Sequence, residues 1–176
     1  MSGPGRLDWT TDLHHLVAQP ALDALATWPR AGDVRAAPID PELADTAAFC
    51  AEYGVEMADS ANCVVIAGRR GEVTRYVACI VLATTRADVN NVVRRRIDAR
   101  KASFAPMDDA VTLTGMEYGG ITPIGLPAPW PIYVDAAVLE RDVVVIGSGL
   151  RRSKIALPAA ALSELPGAEV VEGLAS

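Results

Sequence analysis

Gly115-Met-Glu-Tyr-Gly-Gly-Ile-Thr-Pro-Ile-Gly-Leu-Pro-Ala-Pro-Trp-Pro131 carries glycine at 115, 119, 120 and 125 and proline at 123, 127, 129 and 131. Glycine lets a ligand or another backbone approach closely, and proline fixes φ and lowers the entropy lost on ordering. Together they make a stiff, open wall. Backbone N–H groups in such a wall can hold a carbonyl oxygen or a developing oxyanion without any catalytic side chain. A rigid connection between a helix and a strand has the same composition, so the stretch alone leaves both readings open.

The elements on either side of the wall set the fold class. Ser60–Ala67, Tyr76–Ala83 and Val143–Gly147 are short, β-branched and apolar at nearly every position, the pattern of strands buried on both faces. Val89–Ile97 predicts a helix, with Val89, Val92, Val93 and Ile97 as its apolar stripe. A short strand near Ser103 and a helix over Met107–Leu113 lead into the wall. Ser153–Leu157 predicts a strand, Pro158 opens a last short helix, and Ala168–Val171 reads as an edge strand. Upstream, Val34–Ile39 is a candidate strand. Asp45 or Thr46 introduces a helix through Phe49 and Tyr53 that Gly54 stops. Leu7–Arg30 reads as helical, capped by Thr10 or Thr11, with Leu13, Leu16 and Val17 on one side and Pro20 breaking or restarting it. The mixture is an α/β (α+β) sheet wrapped by helices.

Length and composition narrow the function. A chain of 176 residues, 51% hydrophobic, closes one core. Net charge −6 argues against a general nucleic-acid coat, so any RNA contact has to be local. Cys50, Cys63 and Cys79 lack metal-ligand spacing and sit in apolar runs, which reads as reduced and structural. No metal site, cofactor motif, P-loop or serine or cysteine triad can be assembled. The N-terminus lacks a secretory signal and no run is long enough for a membrane span, so the expected location is cytoplasmic.

Three further features bear on chemistry. Asn62 interrupts an apolar strand on the face of Val64 and Ile66. It therefore either hydrogen-bonds within the fold or looks into a polar pocket. Arg86, Arg94, Arg95, Arg96, Arg100 and Lys101 outnumber Asp88 and Asp98, a local reversal of the global sign. Phosphate binding and helix-dipole complementation both account for it. Gly147-Ser148-Gly149 after a strand lacks the third glycine and following helix of a dinucleotide fingerprint, and reads as a turn lining the same pocket. His14 and His15 have no partner motif. Lys101 and Lys154 are the only lysines.

The order of these pieces resembles the YbaK family and the related editing domain of many bacterial prolyl-tRNA synthetases. The resemblance runs from Ala51 to about Glu172 through Lys101-Ala-Ser-Phe-Ala-Pro, Thr114-Gly-Met-Glu, Gly119-Gly-Ile-Thr-Pro-Ile-Gly-Leu-Pro127, Ile132-Tyr-Val-Asp135 and Val145-Ile-Gly-Ser-Gly149. It implies a mixed, barrel-like sheet over residues 33–176, with residues 1–32 as a helical extension packed on it. It also implies hydrolysis, in trans, of the ester of mischarged aminoacyl-tRNA, usually tRNA for proline, assisted by a substrate ribose hydroxyl and without a protein nucleophile or cofactor. The residues it points to are Asn62, Gly119, Gly120 and Pro123 for catalysis, and Thr122, Gly147, Ser148 and Gly149 for substrate. Arg94, Arg95, Arg100 and Lys101 would meet tRNA; an aminoacyl-tRNA synthetase is a further expected partner. Family members commonly carry a lysine in the first strand, where this chain has Asn62. The alternative is therefore a non-catalytic module of the same fold that binds aminoacyl-tRNA or an amino-acid-like ligand.

Overall fold

A computed structural model of the chain describes residues 3–176, so the first two residues of the expected 1–32 extension lie outside it. Two sheets face each other across the main core. The smaller has the order β1–β7–β6, from β1 (Arg35–Pro38), β7 (Ser153–Pro158) and β6 (Val143–Gly147), all antiparallel. The larger has the order β4–β2–β3–β5–β8, from β4 (Lys101–Phe104), β2 (Ala61–Arg70), β3 (Val73–Leu82), β5 (Ile132–Asp135) and β8 (Ala168–Val171). β4–β2 and β2–β3 are antiparallel, while β3–β5 and β5–β8 are parallel. The sheets meet at one edge through a parallel bridge between Ser60 and Val145, which makes the whole barrel-like.

The strands follow from burial with period two. In β3, Ala78, Ile80 and Leu82 face the main core with Ile132, Val144, Ile146, Ile155 and Leu157, whereas Val77, Cys79 and Val81 face a second cluster. That second cluster is closed by Val93, Ile97 and Ala99 on the outer face of the larger sheet. Its helix opens as a π turn over Val89–Val93, with Val93 N–H donating to Asp88 O, and continues as α3 (Arg94–Arg96). A third cluster covers the smaller sheet, where Ala37, Val145 and Ala156 meet Phe49 and Cys50 of α2 (Thr46–Tyr53). Asp45 caps α2 by accepting from the N–H groups of Ala47 and Ala48, and Gly54 ends it in the left-handed conformation. α4 (Met107–Thr114) then leads into the glycine-proline stretch.

The N-terminal helix is much shorter than the sequence predicts. Only α1 (Gln19–Leu25) forms, and Pro20 lies in its first turn, where its missing N–H costs nothing. Thr10 does not cap it: Thr10 exchanges both backbone hydrogen bonds with Ala36 of β1, at 2.8 and 3.0 Å, and His15 takes positive φ, so residues 7–18 are spent on the sheet edge and a turn. Val17, Ala21, Leu25 and Trp28 nevertheless enter the main core. No helix among the described residues is long and apolar enough to cross a membrane.

Asp135, at the end of β5, is buried and its Oδ2 has no hydrogen-bond partner. Burial raises its carboxyl above the ordinary range, against the opposing pull of the backbone N–H groups of Ala137, Leu174 and Ala136. Because the folded value is raised, its contribution to stability is full below about pH 4 and is lost as pH rises through the raised value. Asp135→Asn should therefore gain in melting temperature over wild type as pH is raised from about 4 to 7. Thermal melts across that range check this; a constant difference would contradict it.

Candidate functional site

The site lies in a split between the two sheets. On one edge, β2 pairs with β4 only from Ile66 to Arg69, and Ser60 bridges to Val145. Residues 61–65 have no strand partner on that edge among the described residues. All five line an open cavity of about 410 Å³. Its other walls come from Ala44, Asp45 and Thr46 at the start of α2, from Tyr118, Gly119 and Ile121 of the glycine-proline stretch, from Val145–Gly147 of β6, and from Lys154 of β7.

The glycine-proline wall is held by the Gly147–Gly149 turn behind it. Gly149 N–H donates to Gly120 O at 2.6 Å, Glu117 N–H to Gly149 O at 2.9 Å, and Arg151 N–H to Glu117 Oε1 at 2.7 Å. Contact is closest at Gly147, where a Cβ would stand 2.5 Å from Gly120 O and 2.6 Å from Ile121 O. In the wall itself, Gly119 N–H and Ile121 N–H donate to no acceptor among the described residues. Such free donors at a cavity surface can receive a carbonyl or an oxyanion.

Of the residues expected in the site, Asn62, Gly119 and Gly147 line this cavity. Gly120 is buried just behind the wall, Pro123 and Thr122 are buried beneath it, and Thr122 Oγ1 accepts from Ile124 N–H. Ser148 is buried and bonds to Ser153 Oγ at 2.7 Å, and Gly149 braces Gly120, so these two support the wall without lining it. The Asn62 amide oxygen accepts from Thr46 Oγ1 at 2.8 Å. Asn62 is thus both satisfied within the fold and exposed to the pocket.

The basic cluster divides. Arg94 donates to Asn90 O and Ala99 O near the helix end, and the Arg96 guanidinium lies 5.5 Å from the Tyr133 ring centre. Arg94, Arg100 and Lys101 join Arg69 along a second groove of about 650 Å³, while Arg95 stays outside it, exposed. This groove adjoins the first cavity across the β4–α4 turn: Ser103, Pro106 and Asp109 line the groove, Phe104, Ala105 and Ala110 the cavity.

The site also contains three groups that sequence reasoning passed over, Phe104, Tyr118 and Thr46, together with Lys154, one of the two lysines that could substitute for the one the family carries in its first strand. Phe104 and Tyr118 stand at the cavity mouth, 64% and 53% exposed, two aromatic rings open to solvent beside the same pocket. Thr46 orients Asn62. Lys154 is 7% exposed; its ammonium donates to Ala44 O at 3.1 Å and lies 5.0 Å from the Phe49 ring centre. Burial lowers its pKa, with Cys50 and Asp45 pulling it up and Arg151 pushing it down. The signal was the rarity of lysine in the chain.

Nothing in the cavity is an activated nucleophile. Cys63, the one sulfur in its wall, is held as a thiol by burial and by neighbouring Cys79, whose own thiol is pushed up to about 12. Neither histidine lines the cavity, and no metal-binding cluster of His, Cys, Asp or Glu is present among the described residues.

Comparison with known proteins agrees with this geometry. A family model described as an aminoacyl-tRNA editing domain matches residues 40–165. The crystal structure of a protein described as a candidate trans-editing enzyme for prolyl tRNA synthetase superposes with TM-score 0.74 at 22% identity, covering 89% of this chain and 97% of that one. A scaffold protein from work on grafted linear epitopes also superposes at 0.74 and 22% identity, covering 88% and 95%. At these identities the likeness is one of fold.

Proposed function

Because the chain belongs to the aminoacyl-tRNA editing domain family, we propose that it hydrolyses the ester of mischarged aminoacyl-tRNA in trans, with a tRNA for proline as the first substrate to try. The observation that carries this reading is the cavity wall whose Gly119 and Ile121 N–H groups have no acceptor within the described residues. Water adds to the ester carbonyl carbon, the carbonyl oxygen gathers negative charge against these two donors, and the bond to the ribose oxygen then breaks. Free amino acid and tRNA with an intact terminal ribose are the products. Donors fixed in advance stabilise the developing charge without reorganising, and a stiff wall holds the ester at the attack distance. A hydroxyl of the terminal ribose orients the water, a role consistent with a cavity that offers no activated protein nucleophile.

Asn62, held by Thr46, keeps the aminoacyl group in register with the wall. The groove bearing Arg69, Arg94, Arg100 and Lys101 supports a path for the tRNA backbone leading away from the ester. Exposed Arg95 adds to the positive field. A panel of mischarged tRNAs tests the proposal through release of radiolabelled amino acid. We expect release from at least one pair; a folded protein that binds the panel without releasing anything supports the non-catalytic module instead.

A further inference from the structure

Lys154 does not serve the fold in the way its surroundings would suggest. It leaves β7 on the same face as Ala156, toward the apolar cluster of Phe49, Cys50, Val145 and Ala156, a setting that suits a methionine better than an ammonium. An ammonium there is desolvated, and among the described residues it forms no ion pair. Asp45, the carboxylate in the same wall, has Oδ1 committed to the Ala47 and Ala48 N–H groups that cap α2. One Nζ hydrogen goes to Ala44 O, and no other acceptor among the described residues is hydrogen-bonded to Nζ. A buried cation without a counter-ion is costly, and this one lines the same cavity as Gly119 and Asn62 in a molecule of net charge −6.

Building on the deacylase reading, we infer that Lys154 is the positioning residue that grips an anionic oxygen group of the substrate inside the cavity. Two parts of an aminoacyl-tRNA end present such a group: the phosphate of the terminal nucleotide and the carboxylate of an acidic amino acid. Lys154 is held by the Ala44 carbonyl and the Phe49 ring and takes no part in bond breaking. It fixes where the chain end sits relative to Gly119 and Ile121.

Binding of hydrolysis-resistant probes tests the assignment separately from turnover. The probes are 3′-alanylamino-3′-deoxyadenosine with a 5′-phosphate, the same nucleoside without phosphate, and its glutamyl counterpart without phosphate. They are titrated calorimetrically into wild type, Lys154→Met and Lys154→Arg. Lys154→Met should weaken one of the two probes that carry an anionic group by about tenfold or more, the scale of a charge-assisted hydrogen bond, and should not weaken the probe that has neither phosphate nor side-chain carboxylate. Loss on the phosphate arm identifies the nucleotide as the source, and loss on the glutamyl arm identifies the side chain. Lys154→Arg should retain the anion preference, and Lys154→Met, which gives up the bond to Ala44 O, should still melt as a folded protein. Equal weakening of all three probes, no weakening of any, or no binding by wild type would overturn the inference. If the mischarged-tRNA panel shows no release while the anionic probe still depends on Lys154, hydrolysis falls and the cation's role stands.

Discussion

Gly147→Ala should reduce deacylation by about a hundredfold or more while leaving a folded protein. The strain in this variant is steric: Gly147 has an ordinary extended strand conformation, and its new methyl would meet the carbonyl oxygens of Gly120 and Ile121 at 2.5 and 2.6 Å. Neither oxygen is the end of a flexible side chain. On one side, β6 is fixed by pairing of Gly147 with Lys154, so the glycine-proline wall has to recede. Moving it displaces Gly119 and Ile121, and a misplacement of about 1 Å is enough for a loss of that size. Overpacking of this kind costs about 1–3 kcal/mol of stability, which leaves room for the variant to fold. Gly32→Ala is the matched control, because its Cβ meets nothing within 4 Å. Single-turnover deacylation beside denaturant melts checks both halves. A fully active Gly147→Ala protein would refute the role given to the wall.

Phe104→Ala should weaken substrate binding by about ten- to a hundredfold and change stability by no more than about 0.5 kcal/mol. Phe104 sits opposite Ile66 in β4, yet its ring is 64% exposed at the cavity mouth, with Tyr118 on the rim formed by the glycine-proline stretch. Two exposed aromatic rings beside a cavity proposed to take a nucleotide end offer the terminal adenine a stacking surface, worth about 1–3 kcal/mol per base. The effect belongs in KM, because the base is remote from the reacting carbonyl. Phe104→Trp should restore it, since stacking asks for a flat ring and no particular polar atom. A fall in kcat at unchanged KM would point away from stacking.

The parts of the molecule that were legible in the sequence are those set by short-range rules. β3, β6, the Asp45-to-Gly54 helix and the edge position of β8 follow from apolar patterning and cap residues. Residues 7–18 did not follow, because Thr10 spends its backbone bonds on Ala36, a long-range pairing that helical spacing of Leu13, Leu16 and Val17 gives no hint of. The same limit applies to the cavity. Asn62 and Gly119 were visible as anomalies in their own segments. That residues 61–65 are left without a strand partner on one edge depends on where β4 and β6 happen to stop along β2. Lys154 reads locally as one polar residue in a short strand; only the packing of α2 over β7 makes it a buried ammonium.

The backing of the glycine-proline stretch separates ancestry from mechanics. A Cβ at Gly125 would collide with Pro20 O, one at Gly149 with the Ala18 side chain, and Ala18 N–H donates to Ser148 O at 3.0 Å. Pro20 and Ala18 precede residue 40, where the family match begins. The stiffness of the wall is thus partly borrowed from chain outside the matched region, much as an arch depends on an abutment built by other hands. Residues 17–28 are coupled to the cavity wall through these backbone contacts and through the side chains of Ala18 and of Val17, Ala21 and Leu25 in the core behind it, so sequence change there can retune the site without altering any residue that faces it.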